Sequence, residues 1–237
     1  MELQEFEKVI NAKEGYASLA FPKLMRKVYV WMTLALLITG ITAYGVATSP
    51  NLALTIFQTP VLFWGLIIGE FALVIGVTAF IQRLSLPVAT LLFILYSVVN
   101  GATLSCIFFA YPTAVIAKVF FITSATFAVT AIVGYTTRRD LSRLGGILMM
   151  ALIGLIIATV VNLFLHSSGL DILISYIGVG VFIGLTAWDS QRIKQMFLMA
   201  PDAGESMQKL ALLGALELYL DFINLFLYLL RIFGRDN

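Results

Sequence analysis

The chain has 237 residues, 60% of them hydrophobic and only 12% charged, where soluble domains carry about 25% charged residues. A core of this size cannot hide that much apolar surface, so the surrounding solvent is lipid, and soluble globular, disordered, collagenous and disulfide-bonded secreted classes are excluded. A net charge of +2, one cysteine (Cys106) and one histidine (His166) leave no internal disulfide, no Cys-rich metal site and little zinc chemistry.

The first 27 residues hold four Glu and five Lys or Arg and lack the apolar run of a cleaved signal peptide. They read as a cytoplasmic amino-terminal arm, amphipathic or mobile. Residues 28–237 then read as a single transmembrane domain. Its apolar runs are each near the ~20 residues that a bilayer requires. They fall at Val28–Ser49, Val61–Ile81, Pro87–Ala110, Val115–Tyr135, Gly145–Leu165, Ile172–Met199 and Leu210–Phe233. Short connections join them, Pro50–Pro60 being one and Thr136–Leu144 another. The fold class is an all-α membrane protein with seven transmembrane helices. Within the third run, Asn100-Gly101 suggests a close helix approach or a kink.

Twelve of the fifteen Lys and Arg lie on one side of these spans. The positive-inside rule puts that side, and the amino terminus, in the cytoplasm. Seven spans then put the carboxyl terminus outside, where Arg231 and Arg235 argue weakly the other way. A seventh segment that enters and returns is the alternative. Arg138, Arg139 and Arg143 are ordinary topology determinants.

Most acids lie outside the spans. Glu70, Asp189, Glu217 and Asp221 do not. An ionised side chain at membrane depth costs about 2.5–3.5 kcal/mol on insertion scales, so these four must face the interior, pair, or stay protonated. In the last run, Gly214, Glu217, Asp221, Asn224, Tyr228 and Arg231 recur at steps of three and four and form one helical stripe. The rest of that helix is apolar apart from Tyr219. Such a helix belongs at the centre, with the other six wrapped round it. The bland reading makes Glu217, Asn224 and Tyr228 interhelical hydrogen-bond glue, and pairs Asp189 with nearby Arg192.

In an antiparallel hairpin of the last two runs, Asp189 and Asp221 come to the same depth, about 16 Å in. Glu70 reaches a similar depth from the same side. Two carboxylates that close share a proton, which makes a proton sensor without histidine. They also offer hard oxygens of the kind that Ca²⁺ prefers.

Three stretches resemble the Bax inhibitor-1 family. They are Tyr135-Thr136-Thr137-Arg138-Arg139-Asp140-Leu141-Ser142 followed by Gly145-Gly146, Gly101-Ala102-Thr103-Leu104-Ser105, and Leu218-Tyr219-Leu220-Asp221-Phe222-Ile223-Asn224-Leu225-Phe226. The resemblance covers the chain after about Lys23, and the short amino terminus is similar to that of bacterial members. It implies a last helix wrapped by six others and a pH-sensitive Ca²⁺ leak. It also implies an aspartate pair as sensor and gate, matched here by Asp189 and Asp221. The second-helix acid matches Glu70, and an arginine near that helix, a gating ion-pair partner, matches Arg83. Glu217 departs from the pattern as a third acid on the stripe. With Glu70, Asn224 and Tyr228 it is expected to line the pore or bind the cation.

Ca²⁺, protons and the lipid bilayer of the inner membrane are the expected partners, with no cofactor and no nucleic acid. The second reading is a binding protein that modulates a membrane protease or a cell-death or stress factor, without transport. An intramembrane aspartyl protease is the third. It needs Gly-x-Gly-Asp where residues 218–221 read Leu-Tyr-Leu-Asp, so no enzyme is expected.

Overall fold

The structure is a computed structural model. It describes residues 2–198 and 204–235, with side chains from residue 22 onward. Among the described residues the chain forms helices and no strand. They are α1 (Glu2–Ala47), α2 (Pro50–Gln58), α3 (Pro60–Phe80), α4 (Leu86–Leu104), α5 (Ile107–Ala110), α6 (Thr113–Thr136), α7 (Ser142–Leu165), α8 (Ser168–Leu198) and α9 (Glu205–Phe233).

Seven stretches are long and apolar enough to cross a bilayer: Pro22–Ala47, Pro60–Phe80, Leu86–Ala110, Thr113–Thr136, Ser142–Leu165, Ser168–Leu198 and Glu205–Phe233. They coincide with the seven expected runs, with four starts earlier by three residues or more, the fifth at Ser142 rather than Gly145 and the seventh at Glu205 rather than Leu210 among them. The first begins at Pro22 rather than Val28, and the sixth at Ser168 rather than Ile172. The backbone of α1 is already helical from Glu2, through the segment read as an arm.

Two expectations need correction. Pro50–Pro60 is not a loop, because α2 occupies most of it. Pro50 and Pro60 each open a helix, where the missing N–H costs nothing. The third span is not one unbroken helix either. It turns at Ser105–Cys106 between α4 and α5. There the Ser105 hydroxyl donates to the Ala102 carbonyl at 2.6 Å, competing with the helical ladder.

The residues form two compact units, Met1–Ser105 with Arg192–Leu216, and Cys106–Gln191 with Glu217–Asn237. In the first unit α1 and α3 each pack against α4 and α2. The close approach expected at Asn100-Gly101 is present. A Cβ on Gly101 would sit 2.6 Å from the Thr39 carbonyl oxygen of α1, and the Thr39 hydroxyl donates to the Ser97 carbonyl at 3.0 Å. The first turns of α9 are tied down by polar contacts. Lys27 donates to Gln208 at 3.0 Å, and the Leu86 N–H at the start of α4 donates to Glu205 at 3.3 Å.

In the second unit, aromatic rings join α6 to α9. Phe222 lies 5.6 Å from Phe120 and 5.5 Å from Phe127, centroid to centroid. Glycines let helices meet at backbone distance. Gly134 of α6 lies on Ala187 of α8, Gly145 of α7 lies on the Trp188 ring, and Gly184 of α8 lies on Leu148. Helix α9 is the most buried span. In its most apolar stretch 67% of residues are buried, against 6% in α3 and in α7.

Candidate functional site

Helices α8 and α9 run antiparallel, and their register can be read from contacts. The Tyr228 ring of α9 covers Gly178, where a Cβ would sit 2.7 Å from it. The same ring lies 5.8 Å from Phe182, centroid to centroid. Seven residues are two helical turns, which return a side chain to the same face. Two turns along α8 from Phe182 is Asp189. Two turns back along α9 from Tyr228 is Asp221. Gly178 and Phe182 are themselves one turn apart, so this register brings Asp189 and Asp221 to within about one turn of each other along the two helices. Both are buried, at 8% and 4% exposure.

The α8 segment carrying Asp189 is held on several sides. Ala187 and Trp188 lie against Gly134 and Gly145. The buried Gln191 carboxamide clamps the loop between α6 and α7. Its Nε2 donates to the Arg139 carbonyl at 2.8 Å and its Oε1 accepts from the Leu141 N–H at 2.8 Å. Ser190 is fully buried, and its hydroxyl has no hydrogen-bond partner among the described residues. Gln191 and Ser190 escaped the sequence reading. The signal was there, since Asp189-Ser190-Gln191 is a polar triplet shortly after the apolar run Ile177–Leu185.

The remaining stripe residues have defined surroundings. Asn224 is half-buried, and its Nδ2 donates to the Leu220 carbonyl of its own helix at 2.8 Å. Tyr228 is capped by the Arg231 guanidinium, 5.5 Å from its ring centroid. Arg231 and Arg235 both approach Asp171, at 4.0 and 3.6 Å. Asp171, read as a connection acid, thus gathers the two cations that had argued weakly about orientation. Glu217 is half-buried, one turn before Asp221.

Glu70 and Arg83 belong to the first unit, whereas Asp189, Glu217, Asp221, Asn224 and Tyr228 belong to the second. The Glu70 carboxylate takes side-chain hydrogen bonds from Thr103 and Asn100. Its Oε1 is buried with no partner among the described residues. Arg83 is exposed in the turn between α3 and α4. Among the described residues no group of three or more His, Cys, Asp or Glu side chains gathers to hold a metal ion.

Residues 22–237 match the family described as Inhibitor of apoptosis-promoting Bax1. The chain belongs to this family. It is 49% identical to Inner membrane protein YbhL of Escherichia coli K12, over 89% of this chain and 91% of that protein. An uncharacterized protein of Borreliella burgdorferi is 43% identical over 90% and 92% of the two chains. Uncharacterized protein RP147 of Rickettsia prowazekii is 44% identical over 90% and 89%. The relationship to YbhL and the seven apolar helices support a multi-pass inner-membrane location for this Bax inhibitor family member.

Proposed function

We propose that the protein is a pH-sensitive calcium leak channel of the inner membrane, with Asp189 and Asp221 as its proton sensor and gate. One observation carries the reading. The contacts of Tyr228 with Gly178 and Phe182 support a register in which two buried acids lie within about one turn of each other on antiparallel helices. Two ionised carboxylates side by side in an apolar setting repel, and one shared proton removes most of that cost. Losing the proton adds repulsion. Gaining a second removes the ionic hydrogen bond. Either change biases the α8–α9 pair between two arrangements.

Calcium is cargo in this account. Glu217, Asn224 and Tyr228 continue the stripe and line its passage. Glu70 and Arg83 enter the reading through the family resemblance, which also supplies the direction, a leak promoted by acid. The amino terminus is cytoplasmic in this reading and no enzymatic step is involved.

The test is Ca²⁺ flux into proteoliposomes of the purified protein, measured across pH. Wild type is expected to leak more at acid pH, and Asp221→Asn to lose the pH dependence. No flux at any pH would reject the channel and favour a binding protein that modulates a membrane protease or stress factor.

A further inference from the structure

The loop between α6 and α7 is built to hold positive charge still at the membrane surface. Arg138, Arg139 and Arg143 are all exposed, and none makes an ion pair among the described residues. The one acid in the loop, Asp140, feels the Arg143 charge without forming an ion pair with it, and is held chiefly by Ser142. Its Oδ1 accepts from the Ser142 N–H at 2.9 Å and from the Ser142 hydroxyl at 2.6 Å. The backbone between the arginines is pinned by the buried Gln191 carboxamide on both sides of Asp140. Helices α6 and α7 are 24 residues each, about 36 Å, which more than covers a ~30 Å hydrocarbon core. The loop that joins them therefore lies among lipid headgroups.

Below Arg143 the lipid-facing side of α7 has a shallow track. Gly146, Met150 and Gly154 follow Arg143 at steps of three, four and four, and so share its face. Nothing lies within 4 Å of a Cβ built on Gly146 or Gly154. Met150, Ile153 and Ile157 are 67%, 56% and 59% exposed along the same strip. Unpaired guanidiniums at headgroup depth, above a glycine-notched apolar strip, match both halves of one ligand.

We propose that this loop and the outer face of α7 form a binding site for an anionic glycerophospholipid. Arg138, Arg139 and Arg143 take the phosphate, and an acyl chain lies over Gly146 and Gly154. Arginine suits the task because its planar fork binds phosphate oxygens in pairs. A basic residue beside a membrane surface contributes about 1 kcal/mol toward anionic lipid. Gln191 is a positioning residue here, since it holds the loop backbone and leaves the three guanidiniums exposed.

The test is native mass spectrometry of detergent-purified protein titrated with phosphatidylglycerol or phosphatidylcholine. Wild type is expected to retain phosphatidylglycerol preferentially. R138Q/R139Q/R143Q is expected to weaken that retention at least about tenfold. G146L/G154L keeps every charge and fills the track, and is expected to weaken it severalfold. K118Q removes one cation elsewhere and should change nothing. The proposal is overturned if the two lipids are retained equally, or if the triple variant keeps the preference. It is also overturned if inorganic phosphate alone competes as well as the lipid, since the ligand is then a soluble anion.

Discussion

Helices α7 and α9 show opposite solutions to the same solvent. Helix α7 is apolar over most of its circumference and only 6% buried in its most apolar stretch. Helix α9 carries a stripe of two acids, an amide, a phenol and an arginine, yet is 67% buried in its most apolar stretch. In water the polar helix would be the exposed one. Lipid reverses the arrangement, because hydrocarbon accepts Leu and Ile at no cost but cannot hydrate a carboxylate. Burial of a polar stripe in such a protein therefore points to a site, while exposure of an apolar face is ordinary.

Within α7 the contrast sharpens to neighbouring residues. Gly145 lies against the Trp188 ring, while Gly146 has open space. Gly134 of α6 is tighter still, against the Ala187 backbone, which cannot yield as a side chain can. Gly134→Leu is expected to cost at least about 3 kcal/mol or prevent folding, with Gly145→Leu close behind. Gly146→Ala is expected to be neutral, or to stabilise by up to about 1 kcal/mol through helix propensity. Thermal unfolding in one detergent ranks the three. A Gly146→Ala variant as unstable as Gly145→Leu would break the contrast.

A smaller difference separates the two helices by truncation. Leu225 of α9 is fully buried and Ile153 of α7 is 56% exposed. Leu225→Ala is expected to cost about 2–5 kcal/mol, the usual range for a filled core position. Ile153→Ala is expected to change little, because lipid fills the space. Equal losses in reversible unfolding would mean that α7 is not the lipid-facing helix.

The smallest effect lies at the start of α7. The Ser142 hydroxyl and N–H hold the Asp140 carboxyl below its usual range. A carboxylate whose folded pKa is depressed stabilises the fold above the ordinary Asp range. That contribution is lost as pH falls through the lower folded value. Asp140→Asn is therefore expected to speed amide exchange in the first turn of α7 at neutral pH. The difference from wild type should vanish well below pH 3.8, the ordinary value. A difference that persists in strong acid would assign the effect to something other than the carboxylate.

Much of this architecture is legible in the residues, because length and hydropathy alone bound a bilayer span. The stripe on α9 is legible for the same reason, since period and polarity are local properties. The short helix α2 is not, because the nine residues between Pro50 and Pro60, four of them polar, read equally well as a connection. The choice of face on α7 is also hidden. Gly145 and Gly146 are identical in sequence terms, and only the position of Trp188 separates them. The Gln191 clamp joins residues fifty apart, and no local pattern announces which loop a buried amide will hold. Hairpin symmetry leads to the expectation that Asp189 and Asp221 share a depth, and the Tyr228 contacts with Gly178 and Phe182 bring the two to within about one turn.

The claim that matters most is that Asp189 and Asp221 act as one titrating unit. A double-mutant cycle on the pH dependence of Ca²⁺ flux in proteoliposomes tests it most directly. Asp189→Asn and Asp221→Asn are each expected to remove most of the pH dependence, and the double variant to add little, because one shared proton can be lost only once. Two partial effects that add in the double variant would show two independent acids, and would contradict the account.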